Sequence, residues 1–312
     1  MDNSKSLGIM TYVDNSPVML EEFSWLYKSW IYSGCWQTSD LIIVHHPDIT
    51  DSLPKDPGII LIPQQPASQP GTIFEHYPFI NSIACLSGEH IDAIALRYRY
   101  LLRTDADVFL TPHLAQFRPS FPVHGRGLYY ENEEFRENML IYCARYGVEH
   151  RNHFGCGSSL LAPSDVMVPF LRRQIFWCEK LLEDFGENEG TWPGWFRGVC
   201  SMYAAEIAAN ENWAQLLHQA RERVLDMQSN YNVQLDAMVF HIHAIHTHDY
   251  FSKFQHRAGA YAHIPLDSID RSTIPGYCHW LAAASVEQVI EASAVRYECA
   301  ASDITRRASS GI

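Results

Sequence analysis

The sequence predicts an α/β fold, a single large domain whose mostly parallel central sheet is flanked by helices. Three observations carry this expectation. Compact apolar runs recur through the N-terminal third, as strands buried on both faces of a parallel sheet require. Segments with apolar residues at helical spacing separate them. One run, Tyr100-Leu101-Leu102-Arg103-Thr104, leads straight into Asp105-Ala106-Asp107 at a strand's carboxyl end, where open α/β sheets bind ligands.

The elements follow in order. Leu7 to Val13 is a short apolar strand closed by Asp14-Asn15-Ser16-Pro17, a turn and helix-start signal. Met19 to Tyr32 places Leu20, Phe23, Leu26, Tyr27, Trp30 and Ile31 at helical spacing. Leu41 to Val44 is a strand closed by His45-His46-Pro47, and Ile59 to Ile62 another, closed by Pro63. Helical segments around Phe79–Leu86 and His90–Arg99 complete a nucleotide-binding half. Tyr129 to Gly147 is polar and aromatic, with no element assigned. Leu160-Leu161-Ala162-Pro163 reads as a strand end. Ser164 to Phe185 is a strong helix, with Ser164 and Asp165 as N-cap and Val168, Phe170, Leu171, Ile175, Trp177, Leu181 and Leu182 on its apolar side. A Gly/Trp/Pro loop, Gly186 to Gly198, precedes helices at Ser201–Asn210 and near Trp213–Met227. A strand at Met238–Ile245 then opens a histidine-rich segment, and the polar stretch after Arg296 is expected to fray.

Composition narrows the function. The chain has 312 residues, 47% hydrophobic and 19% charged, enough apolar material for a sizeable core. Its formal charge of −13 repels phosphate backbones, and without a basic patch a nucleic-acid partner is not expected. A single nucleotide is different, because one divalent cation reverses the field inside a cleft. No apolar run approaches the roughly 20 residues of a spanning helix. No signal-peptide pattern is present and none of the eight cysteines has CxxC spacing, so a cytoplasmic protein with free thiols is expected.

Asp105 and Asp107 are the sharpest signal. Residues two apart in an extended turn point to one side, so both carboxylates can face one cation, and Mn²⁺ or Mg²⁺ prefers such hard oxygen ligands. A DxD tripeptide is common by chance and often only caps a turn. Here the apolar run before it, Val108-Phe109-Leu110 after it and the upstream strand and helix segments set it at an expected crevice.

Tyr100 to Leu110 resembles the "apolar strand, D-x-D, apolar" signature of GT-A glycosyltransferases. The order of elements is similar over roughly residues 7–255, though only the DxD segment is specific. The resemblance implies a single Rossmann-like domain at 1–255, with a nucleotide-binding half (1–107), an acceptor half (108–255) and residues 256–312 as a C-terminal extension packed on it. It also implies a divalent metal, a nucleoside-diphosphate sugar donor and a glycan acceptor. Thr11 and Tyr12, at the end of the first strand, would meet the nucleoside. Asp105 would contact metal or ribose, and Asp107 the metal.

His241-Ile242-His243-Ala244-Ile245-His246-Thr247-His248 is the densest histidine set. By period-two alternation Val239, His241 and His243 share one strand face. An HxH pair can bind zinc outright. The resemblance implies instead that one histidine completes the DxD metal site, with a lysine a few residues on meeting the diphosphate. Lys253 stands seven residues after His246 and five after His248, which puts His246 first as ligand and His243 second. The fuller H-x-x-G-x-x-K-P-W form of the family is absent.

Glu206 is the one charged residue between Met202 and Ala209, in surroundings where a carboxylate is either paired or used. The resemblance implies a general base there, as in inverting members. Asn152 to Ser159 carries two glycines that permit close approach to a ligand, and Trp192, Trp195 and Phe196 serve either as stacking faces for acceptor sugars or as a hydrophobic plug. The acidic run Glu131, Glu133, Glu134 and Glu137 reads as a solvated face. A sugar-phosphate nucleotidyltransferase would need a glycine-rich basic loop where Asp14-Asn15-Ser16-Pro17 stands. A zinc hydrolase built on His241 and His243, and a non-catalytic carbohydrate-binding protein, are the other readings.

Overall fold

In the computed structural model, residues 5–152, 154–186, 188–213, 218–219, 224–247 and 249–294 are described. His153, His248 and the tail after Arg296 lie outside them.

The first strand, β1 (Leu7–Val13), is buried along its whole length. Its residues alternate between two layers: Leu7, Ile9 and Val13 face one apolar cluster, Met10 and Tyr12 the other. Each fully buried side chain of this kind contributes roughly 1.5–3 kcal/mol. Ser16 accepts a hydrogen bond from the Met19 amide at 3.1 Å and Pro17 opens α1 (Pro17–Tyr32), whose Phe23, Leu26 and Trp30 cover the first layer. Then come β2 (Ser39–His45), β3 (Ile59–Pro63), α2 (Asn81–Ala84), α3 (Glu89–Ala95) and β4 (Tyr100–Arg103).

Beyond β4 the chain leaves the large sheet. β5 (Val108–Leu110) belongs to a second sheet, and β6 (Val123–Arg126), α4 (Glu133–Arg145), β7 (Cys156–Pro163), α5 (Ser164–Phe185), α6 (Cys200–Ala208) and β8 (His218–Gln219) follow. β9 (Met227–Gln228), β10 (His241–His243), α7 (Lys253–Arg257) and α8 (Ile274–Ala283) complete the described elements. The large sheet runs β3-β2-β1-β4-β7-β6-β8. Its strands are parallel except β7, which is antiparallel to both neighbours. In the small sheet β10 lies between β5, antiparallel, and β9, parallel. The expected α/β architecture with a mostly parallel, helix-flanked sheet is therefore present.

Several expectations need correction. α4 was not expected; Phe135, Met139, Tyr142 and Cys143 form its buried stripe, while Glu133 and Glu134 sit in its first turn, where the helix dipole favours them. No helix spans Trp213–Met227 among the described residues: a π-helical turn ends at Trp213, and β8 and β9 are strands. Ser164 does not cap α5, because its hydroxyl donates to the Tyr98 carbonyl at 2.7 Å. The expected division at residue 255 falls inside α7. Residues beyond it pack on α1 and β5: the Lys28 ammonium donates to the carbonyls of Ala282 at 2.9 Å and Ala284 at 3.0 Å, and the Tyr277 hydroxyl to that of Leu110 at 2.7 Å. The seven described cysteines are buried and in no disulfide. No helix among the described residues is long and apolar enough to cross a membrane.

Candidate active site

The segment Thr104–Asp107 is the joint between the two sheets. The Thr104 amide still donates to the Met10 carbonyl at 3.0 Å, continuing the ladder of β4. The Asp107 carbonyl already accepts from the Ala244 amide at 2.8 Å, beside β10. Between these two anchors Asp105 and Asp107 turn into a cleft of about 640 Å³. Tyr12, Asp14, Arg103, Ser158, His243, His246 and Lys253 are among its polar lining, and Phe79, Ile83, Trp192, Phe196, Val199 and Met202 among its apolar lining.

Asp105, Asp107 and His243 each offer a ligand atom within 4.8 Å of the others. His243 Nε2 is 3.2 Å from Asp107 Oδ2, and the Lys253 ammonium donates to the same oxygen at 2.6 Å. Burial alone would push the Asp107 carboxyl up; His243 and Lys253 outweigh it and hold the group well below the usual carboxylate range. Burial likewise opposes the charge on His243, but Asp107 wins and raises it to about 9. Arg103 fixes Asp105: it donates to Oδ1 at 2.8 Å and is itself held by the Ser82 carbonyl at 2.9 Å and the Ser82 hydroxyl. Lys253 has a second anion in Glu22, 3.7 Å away on α1, which Arg257 also pairs.

The other expected residues are distributed differently. His246 lies on the cleft wall, its ring 5.6 Å from that of Phe254, and outside the three-residue group. His241 is turned inward and fully buried; the Asp226 amide donates to Nδ1 at 3.1 Å, and Nε2 meets the Thr104 hydroxyl at 2.7 Å. With both nitrogens engaged it has no lone pair for a metal, which removes the zinc reading built on His241 and His243. Thr11 is sealed within the sheet and does not reach the cleft. Tyr12 does line it; its buried hydroxyl has no partner, and burial pushes its ionisation far up.

Glu206 corrects the expectation of a base facing the reaction centre. Its carboxylate is 0% exposed and does not line the cleft. It accepts from the Gly155 amide at 2.7 Å and the Tyr129 hydroxyl at 3.2 Å, and lies 3.2 Å from His150 Nε2. Burial raises it despite these donors. The aromatic loop divides between its two readings: Trp192 and Phe196 line the cleft, whereas the half-buried Trp195 stacks on Tyr203 at 5.0 Å against the core. Asp226 and Glu22 stand beside the site with no sequence spacing that links them to the acidic pair, whereas Arg103 and Thr104 directly precede it and Ser158 and Ser159 close the glycine-containing segment.

The chain belongs to the family described as "Domain of unknown function (DUF7164)", whose model matches residues 2–300. No curated protein matches the sequence. Among solved structures, an active-site mutant of LgtC is similar with a TM-score of 0.47 and 11% identity, covering 76% of this chain and 86% of that one. Galactosyltransferase LgtC in complex with donor and acceptor sugar analogues gives 0.42 and 13%, covering 72% and 77%. The apo structure of the bifunctional glycosyltransferase WbbM gives 0.41 and 11%, covering 78% of this chain and 46% of that one. Likenesses this loose carry no assignment, which rests on the site itself.

Proposed function

We propose that this protein is a metal-dependent glycosyltransferase that moves a glycosyl group from a nucleoside-diphosphate sugar to a hydroxyl of a carbohydrate or glycoconjugate. The convergence of Asp105, Asp107 and His243 on one point of a cleft at the carboxyl ends of β1 and β4 carries this reading. Two hard carboxylates and one imidazole suit Mn²⁺ or Mg²⁺, with room for phosphate oxygens.

Asp107 and His243 would hold the metal, with Asp105 beside them and kept in place by Arg103. A cation held there would supply positive charge to stabilise a departing nucleoside diphosphate. Lys253, already at the same carboxylate, adds a second positive group for the phosphates. Tyr12 borders the part of the cleft left for the nucleoside. Phe79 and Trp192, 60% and 47% exposed, offer apolar faces to the acceptor. Glu206 takes no part in the chemistry and ties α6 to the segments at His150 and Gly155.

A thermal-shift screen of nucleoside diphosphates with and without Mn²⁺ tests this reading. One nucleotide at a hundredfold excess over its Kd is expected to stabilise the parent by about 2.7 kcal/mol, and only with the metal. Asp107→Ala is expected to lose the response. A nucleotide effect indifferent to both metal and Asp107 sinks the proposal.

A further inference from the structure

Behind the cleft lies a carboxylate that does not line it. Asp226 is buried just before β9, with a φ of 55°, in the left-handed region that Asp tolerates better than most residues. Its carboxylate fills a slot left by two glycines of facing strands, Gly125 on β6 and Gly157 on β7; a β-carbon on either would collide with it. Oδ2 accepts from the Ser159 amide at 3.0 Å. Oδ1 accepts from the Ser159 hydroxyl at 2.6 Å and faces that of Ser158 at 3.5 Å.

Two paths lead from this residue to the cleft. Its backbone amide donates to His241 Nδ1. An amide can only donate, so in the neutral ring the proton sits on Nε2, which gives it to Thr104 Oγ1. The Thr104 hydroxyl then has its own proton for the Asp105 carbonyl, 3.2 Å away. The second path runs through the side chain. His243 Nδ1 is 3.4 Å from Ser158 Oγ and 3.8 Å from Asp226 Oδ1, while Nε2 points to Asp107. Metal-binding imidazoles commonly give their other N–H to a carboxylate or its relay, which fixes tautomer and ring orientation.

We infer that Asp226 is a positioning residue for the metal centre. Its carboxylate, with Ser158, orients His243 so that Nε2 faces the acidic pair, and its amide, through His241 and Thr104, pins the loop that carries that pair. The inference rests on reading Asp105, Asp107 and His243 as a metal site.

The test uses the full chain and Mn²⁺ alone, followed by calorimetry and by electron paramagnetic resonance of the bound ion. Asp226→Asn keeps the size of the side chain and tolerates the left-handed backbone. It is expected to weaken Mn²⁺ binding ten- to a hundredfold and to change the bound-ion spectrum. Added to His243→Ala, it is expected to cause little further loss, since both act through one ligand. Ser158→Ala, a milder change should Asp226→Asn not fold, is expected to weaken binding several-fold. Parental affinity and spectrum in the folded variants, or losses that multiply in the double variant, would overturn the inference while leaving the metal site intact. If the parent binds Mn²⁺ no better than Asp107→Ala, the functional reading itself falls and this inference with it.

Discussion

Asp107 and Glu206 are both carboxylates withdrawn from water, and their surroundings treat them in opposite ways. Asp107 stands at the wall of an open cleft between two cationic groups, His243 and Lys253, which hold it ionised against its burial. Glu206 is enclosed by a tyrosine hydroxyl, a backbone amide and a histidine, and burial wins, raising it above the usual range. Removal from solvent therefore does not single out a reactive group. Access to a cleft and the sign of the neighbouring charge do.

The contrast can be broken in four ways. The largest expected effect is that of Asp107→Ala, which takes away the group on which His243 and Lys253 converge. Transfer from a nucleoside-diphosphate sugar should fall roughly 1,000-fold, read as initial rates with Mn²⁺. Glu206→Ala should do the reverse. It takes the acceptor from the buried Gly155 amide and the charge partner from His150, so urea unfolding should report a loss of about 3 kcal/mol, with kcat of the folded protein close to the parent's.

The third concerns pH. His243 keeps its proton up to about 9 in the folded chain, whereas an unfolded histidine releases it near 6.5. The stability linked to that proton is fully present below pH 6.5 and is lost as pH rises to about 9. Without added metal, the unfolding free energy should drop by about 3 kcal/mol across that window. His243→Gln should flatten it; an unchanged slope would separate His243 from Asp107. The smallest effect is that of Tyr12→Phe. Its hydroxyl is buried without a partner, so its removal should stabilise the protein by up to about 1 kcal/mol in the absence of nucleotide.

Much of the large sheet was legible because its signals are local. The apolar runs at Leu7, Leu41 and Ile59 need only burial on two faces, and Ser16-Pro17 announces α1 by capping chemistry. The stripe of α4 was present in the sequence but masked by the acidic residues around Phe135. The extent of β10 was not legible, since only His241–His243 pair with β5 in register, and Phe240 and Ala244 add one backbone hydrogen bond each at its ends. In the sequence the spacing to Lys253 favours His246 over His243. Pairing with β5 turns His243 to the acidic pair and leaves His246 on the cleft wall.

The sequence by itself determined the α/β class, the strands of the large sheet that precede the acidic pair, and the setting of Asp105 and Asp107 at a strand's carboxyl end. These follow from burial periodicity and from the chemistry of neighbours in the chain. Only the tertiary structure decided that His241 serves the loop while His243 faces the cleft, that Glu206 is sealed, and that Asp226 stands behind the site. Those roles depend on which groups meet across long stretches of chain, and no local pattern encodes a distance or the absence of water.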